Sequence, residues 1–148
     1  MSNYQIPLIR NEKIIYKNEG VDMSANIQVL IVDDNKDILF AVKYGLEQND
    51  GQYKVEGVTN AVECLDFIDK GYIPDIIILD IMMPYKDGWE LFAELKQKPN
   101  IKNIPIVFLT AKVDGFSKGF GAISAQDYIT KPFEIEDLKN RIELILKR

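Results

Sequence analysis

Ile76-Ile77-Ile78-Leu79-Asp80-Ile81-Met82-Met83-Pro84 carries an aliphatic run straight into a carboxylate and then breaks at a proline. A run without polar alternation predicts a strand buried on both faces, with Asp80 at its carboxyl end. Open α/β sheets bind ligands and do chemistry at those ends. An ionised carboxylate there costs on the order of several kcal/mol unless a cation or donors offset it. Three candidates exist elsewhere in the chain: the acidic pair Asp33-Asp34, which could recruit a metal, the hydroxyl of Thr110 and the ammonium of Lys131.

Outward from this strand the chain alternates strand and helix. Ile27–Val32 is an apolar strand ending at Asp33-Asp34-Asn35, and the helix after it carries Ile38, Leu39, Val42 and Leu46 on one face. Tyr53–Val58 reads as a second strand, 61–70 as a second helix and 75–79 as the third strand. A helix from about 89 to 97 must stop before Pro99. Residues 104–109 form a fourth strand, ending at Thr110-Ala111, and residues 113–122 a helix weakened by Gly115, Gly119 and Gly121. A short fifth strand at 128–130 precedes Lys131-Pro132, and Ile135, Leu138, Ile142 and Ile145 mark the apolar face of a last helix. This pattern predicts an α/β fold, a five-stranded parallel sheet with helices on both faces, for which the doubly wound, flavodoxin-like order is 2-1-3-4-5. Asp33-Asp34, Asp80, Thr110 and Lys131 then converge on one rim, at the switch point between the first and third strands. Residues 1–26 stand apart, with Pro7-Leu8-Ile9 and Ile14-Ile15-Tyr16 suited to a hairpin. They are an N-terminal extension, either a tail or an added edge element, and Met23 is an alternative start; residues 27–148 are the folded domain.

The bulk properties exclude several classes. A net charge of −5 and a pI near 4.8, with no stripe of Lys and Arg, argue against direct nucleic-acid binding by this chain. The apolar runs fall short of the roughly 20 residues of a membrane span, and no secretory pattern opens the chain, so a cytoplasmic location is expected. Cys64 is the single cysteine, placed on a helical stripe with Ala61, Leu65 and Ile68, and reads as a small core residue. With no histidine, the chain cannot build a Ser-His triad or a His-bearing zinc site, and any phosphohistidine chemistry needs a second molecule.

The blocks Val29-Leu30-Ile31-Val32-Asp33-Asp34-Asn35, Leu79-Asp80-Ile81-Met82-Met83-Pro84 with Gly88, Phe108-Leu109-Thr110-Ala111, and Asp127-Tyr128-Ile129-Thr130-Lys131-Pro132-Phe133 together resemble the receiver domain of bacterial response regulators. The resemblance covers about residues 27 to 148, with all blocks in order. It implies a switch that accepts a phosphoryl group onto Asp80 from a sensor histidine kinase or a histidine phosphotransfer protein. By the same resemblance Mg²⁺, or Mn²⁺, is held by Asp34, Asp80 and the carbonyl of Met82, with Asp33 acting through water. Lys131 pairs with the acceptor and then with a phosphoryl oxygen, while Thr110 and the amides of Ile81 and Ala111 donate the remaining hydrogen bonds. Thr110 and Tyr128 form the switch pair, and the fourth helix, fifth strand and fifth helix form an output face that can pair two copies. Asp127, Asp137, Arg141 and Arg148 resemble the charges that pair across such dimers. Where the family usually carries Gly-Ala-Asp-Asp-Tyr, this chain has Ser124-Ala125-Gln126-Asp127-Tyr128.

The residues agree with that chemistry. A carboxylate attacking an anionic phosphoryl group meets repulsion that a hard divalent cation on oxygen ligands relieves. Taken singly, each residue has an ordinary role: Asp34 or Asn35 as a helix cap, Thr110 as a local hydrogen-bonder, Lys131 as a solvated loop lysine. Their joint position at four strand ends favours a site. One rival is an Asp-nucleophile phosphohydrolase of the haloacid-dehalogenase type, which needs an acid two residues after the nucleophile, where this chain has Met82. A flavodoxin-like cofactor module would meet two aspartates where it wants a phosphate-binding loop. The remaining alternative is the regulatory part of a longer DNA-binding response regulator.

Overall fold

A computed structural model describes residues 5–10, 13–18, 27–48, 51–111 and 127–147. β1 (Gln5–Arg10) and β2 (Lys13–Asn18) pair antiparallel, Arg10 opposite Lys13, as a two-stranded sheet of their own. From β3 (Ile27–Val32) the chain continues through α1 (Lys36–Glu47), β4 (Tyr53–Val58), α2 (Ala61–Asp69), β5 (Ile76–Asp80), α3 (Gly88–Lys96), β6 (Ile106–Thr110), β7 (Asp127–Thr130) and α4 (Ile135–Leu146). β3 to β7 form one parallel sheet, as the alternation of strand and helix predicts, and its order β4-β3-β5-β6-β7 is the doubly wound 2-1-3-4-5 counted from β3.

Each central strand divides its side chains between two cores. Leu30, Val32, Ile77, Leu79 and Phe108 pack with Cys64, Ile68, Leu91 and Leu95 on the side of α2 and α3. Val29, Ile31, Ile76, Ile78, Val107 and Leu109 pack with Val42, Leu46, Leu138 and Ile142 on the side of α1 and α4. Both faces of β3, β5 and β6 are therefore dry, and a polar group on these strands finds room only at their ends. α1 and α4 approach closely at Gly45, where a Cβ would lie 2.7 Å from Ile135 Cγ2.

Side-chain caps start the first three helices: Asn35 accepts from Asp37 N, Asn60 from Glu63 N and Asp87 from Glu90 N. The element bounds depart from expectation by one or two residues. β5 includes Asp80 because it still pairs with Leu109, and β6 begins at Ile106 because Ile104 N is spent on the carbonyl of Ile101 in a preceding turn. The helix expected over 113–122, and Ser124-Ala125-Gln126, lie outside the described residues.

Phe108 is fully buried, with its ring centroid 4.9 Å from Trp89 and 5.2 Å from Phe92. Phe108→Ala is expected to destabilise the fold by about 3–5 kcal/mol in urea unfolding. Val62→Ala, at an exposed position of α2, should stay within about 0.5 kcal/mol.

Candidate functional site

The ends of β3, β5 and β6 and the junction after β7 bring four separated segments together. Asp33 follows β3 and is fully buried, Asp80 closes β5 at 3% exposure, Thr110 closes β6 fully buried, and Lys131 follows β7. The sheet itself sets this alignment: Asp33 N donates to Val58 O at 3.1 Å, and Lys131 N to Thr110 O at 2.7 Å. The Lys131 ammonium reaches Asp33 Oδ2 at 2.7 Å and Asp80 Oδ1 at 3.4 Å. Asp33 Oδ1 accepts from Asn35 N at 2.9 Å, so both oxygens of Asp33 are engaged. Asn35 also caps α1, which leaves the exposed Asp34 without that duty. One carboxylate oxygen each from Asp33, Asp34 and Asp80 lies within 4.8 Å of the others.

Three carboxylates and one ammonium leave the pocket with an excess of negative charge. Burial pushes the Asp80 carboxyl up to about 6; the charge of Asp33 adds to this, and Lys131 and the Met82 amide act against it. A cluster of hard oxygen donors with unbalanced negative charge has the chemistry of a divalent cation site. The donor set therefore fits Mg²⁺ or Mn²⁺, and it offers no sulfur or nitrogen ligand that would favour a softer metal.

The structure gathers Asp33, Asp34, Asp80 and Lys131 at one rim, with Thr110 at the end of the neighbouring β6, which is where the strand-end reading puts them. Lys131 pairs with Asp80, as the resemblance implies, but it lies nearer Asp33 and bridges the two acids. The resemblance implies that the Ile81 amide donates into the site, but it donates to Leu109 O at 3.2 Å, because that bond closes the Asp80–Leu109 pair at the end of the β5–β6 ladder. The amide that faces the carboxylate is that of Met82, 3.3 Å from Asp80 Oδ1. The Met82 side chain is exposed, as is Ala111 beyond β6. Tyr128 on β7 is 41% exposed, and its carbonyl accepts from Arg141 Nη1 at 3.3 Å. Beside it a groove is lined by Thr130, Phe133, Asp137, Arg141 and Leu144. The part played by the Asn35 amide was not anticipated; its only sequence signal is its place two residues after Asp33, where a side chain readily accepts from the backbone.

Comparison with known proteins agrees with this geometry. The sequence profile of the response regulator receiver domain matches residues 29–143. The alkaline phosphatase synthesis transcriptional regulatory protein PhoP of Bacillus subtilis (strain 168) is 36% identical over 124 residues, which cover 83% of this chain and 50% of PhoP. Chemotaxis protein CheY4 of Vibrio cholerae superposes with a TM-score of 0.74 at 31% identity, covering 82% of this chain and 99% of that one. The receiver domain of Francisella response regulator 1452 gives 0.71 at 35% identity, covering 83% and 98%. The chain spans about half the length or less of the first curated relatives it matches, 50%, 54% and 26%. With profile, relatives and strand-end acids in agreement, the chain belongs to the response regulator receiver domain family.

Proposed function

We propose that this chain is a phosphorylation-dependent switch whose acceptor is Asp80 and whose donor is a phosphohistidine on a sensor histidine kinase or histidine phosphotransfer protein. Receiver domains are signalling domains that act with histidine kinases in two-component systems. The observation that carries the proposal is the Lys131 ammonium between Asp33 and Asp80, with Asp34 close by. An Asp80 carboxylate oxygen attacks phosphorus, the bond from phosphorus to the donor imidazole nitrogen breaks, and that nitrogen keeps the electron pair and takes up a proton. The product is an acyl phosphate on Asp80.

Asp34, Asp80 and the Met82 carbonyl would hold Mg²⁺ or Mn²⁺, with Asp33 reached through water. Bound there, the cation offsets the charge that repels an incoming phosphoryl group. Lys131 is near enough to follow onto a phosphoryl oxygen, and Thr110 with the amides of Met82 and Ala111 supplies the neutral donors. The added charge then biases Thr110 and Tyr128, and the face around Tyr128 and α4 carries the output, including a homodimer contact. A phosphohydrolase reading lacks its acid, since Met82 stands at that place.

PhoP is a transcriptional regulatory protein about twice as long as its matched segment, which favours a role for this chain as the regulatory part of a longer DNA-binding regulator. The net charge of −5 argues against DNA contact by this chain itself. A cytoplasmic location agrees with the absence, among the described residues, of any helix long and apolar enough to cross a membrane.

Acetyl phosphate with Mg²⁺ is expected to add one base-labile phosphoryl group to the wild type and none to Asp80→Asn, as read by intact-protein mass; equal labelling of the variant would remove the assignment. A second prediction concerns pH. Burial pushes the Asp80 carboxyl up from its ordinary value near 3.8 to about 6, so between these the folded chain holds a proton the unfolded chain has lost. This group therefore adds stability at low pH, and the contribution fades as pH rises through about 6. Metal-free Asp80→Asn should exceed the wild type at pH 7 by on the order of 2–3 kcal/mol in urea unfolding. That gap should close below about pH 4, and a gap independent of pH would contradict the burial argument.

A further inference from the structure

We propose that Gly88 is a positioning residue for the Asp80 site: its missing side chain lets the first turn of α3 rest on the Asp80–Ile81 peptide, and that contact sets the direction of Met82. The inference rests on the reading above, in which the Met82 carbonyl and the Asp34 and Asp80 carboxylates share one cation.

A Cβ on Gly88 would lie 2.7 Å from Ile81 Cα and closer still to the carbonyl oxygen of Asp80. Both obstacles are backbone, so no side chain can rotate aside to relieve them. The approach leaves Ile81 fully committed. Its amide donates to Leu109 O at 3.2 Å, and its carbonyl accepts from Gly88 N at 2.9 Å and from Met83 N at 3.2 Å. The side chains of Ile81 and Met83 are buried on either side of the exposed Met82. Met82 is thus a single residue slung between two fixed ones, and its amide points at Asp80 Oδ1. The α3 end of this contact is anchored too, since Asp87 caps the helix through Glu90 N at 3.0 Å. A methyl group at position 88 must either lift α3 or turn the Ile81 peptide, and both movements swing the Met82 carbonyl and amide away from the acids.

Gly45 provides the control. A Cβ there meets only side-chain carbons of Ile135, between α1 and α4, so Gly45→Ala costs stability through packing without touching the Asp80 peptide.

The test is calorimetric titration of Mg²⁺ into the wild type, Gly88→Ala, Gly45→Ala and Asp34→Ala, with metal-free melting curves of each. Gly88→Ala is expected to bind Mg²⁺ about 10–100-fold more weakly, the range seen when supports behind a metal ligand are lost. Gly45→Ala should keep wild-type affinity whatever its melting temperature. Wild-type affinity in Gly88→Ala, or an equal loss in Gly45→Ala, would overturn the proposal. Equal affinity in wild type and Asp34→Ala would instead overturn the ligand set and this inference with it. Should Gly88→Ala not fold, wild-type amide spectra decide: Mg²⁺ should move the Met82 and Gly88 signals along one binding curve and leave Gly45 in place. A Gly88 signal that stays still would overturn the proposal.

Discussion

The Lys131 ammonium lies between two buried carboxylates, and the rest of the site depends on it. At an effective dielectric of about 20, two charges some 4 Å apart interact by about 4 kcal/mol, so Asp33 and Asp80 repel strongly without it. Lys131 reaches both, at 2.7 and 3.4 Å, while its own amide is tied to Thr110 O. One cation against three acids is nonetheless incomplete compensation. Burial, with the charge of Asp33 behind it, holds the Asp80 carboxyl up at about 6, and the remaining imbalance makes the pocket a place where a divalent cation gains and a second anion alone would be refused.

The sheet makes this crowding unavoidable. Because β3, β5 and β6 are covered on both faces, none of their side chains can carry charge except at the carboxyl ends, and parallel strands put those ends on one rim. The order β4-β3-β5-β6-β7 then sets Asp33 beside Asp80, across the point where the strand order turns. Burial that would be a defect in a structural protein becomes, in the proposed function, the means of holding the acceptor carboxylate in place.

Much of this was legible in the residues. The aliphatic runs of β3 and β5 announced strands without a wet face, and Asp33, Asp34, Asp80, Thr110 and Lys131 followed as strand-end residues once the topology was set. What escaped was anything that depends on backbone direction at single residues. Whether the inward amide belongs to Ile81 or Met82 turns on the Ile81 amide closing the last β5–β6 pair, which residue types do not encode. The preference of Lys131 for Asp33 is likewise a matter of ångströms. Asp75, nearly buried, with Gln28 N on its carboxylate at 2.7 Å, looked like an ordinary strand opener, yet it clamps β3 to β5 at the end opposite the site. Gly88 was visible as part of a motif, but its close approach to the acceptor peptide emerges only in three dimensions.

The central claim is that acids from β3 and β5 share one divalent cation beside a lysine from the end of β7. A crystal grown with Mn²⁺ and beryllofluoride tests it most directly, through the anomalous signal of the metal. The account predicts a single strong peak coordinated by Asp34, Asp80 and the Met82 carbonyl, with beryllium bonded to an Asp80 carboxylate oxygen and the Lys131 ammonium turned toward a fluorine. A manganese peak away from these residues, or a Lys131 side chain turned out into solvent, would contradict it.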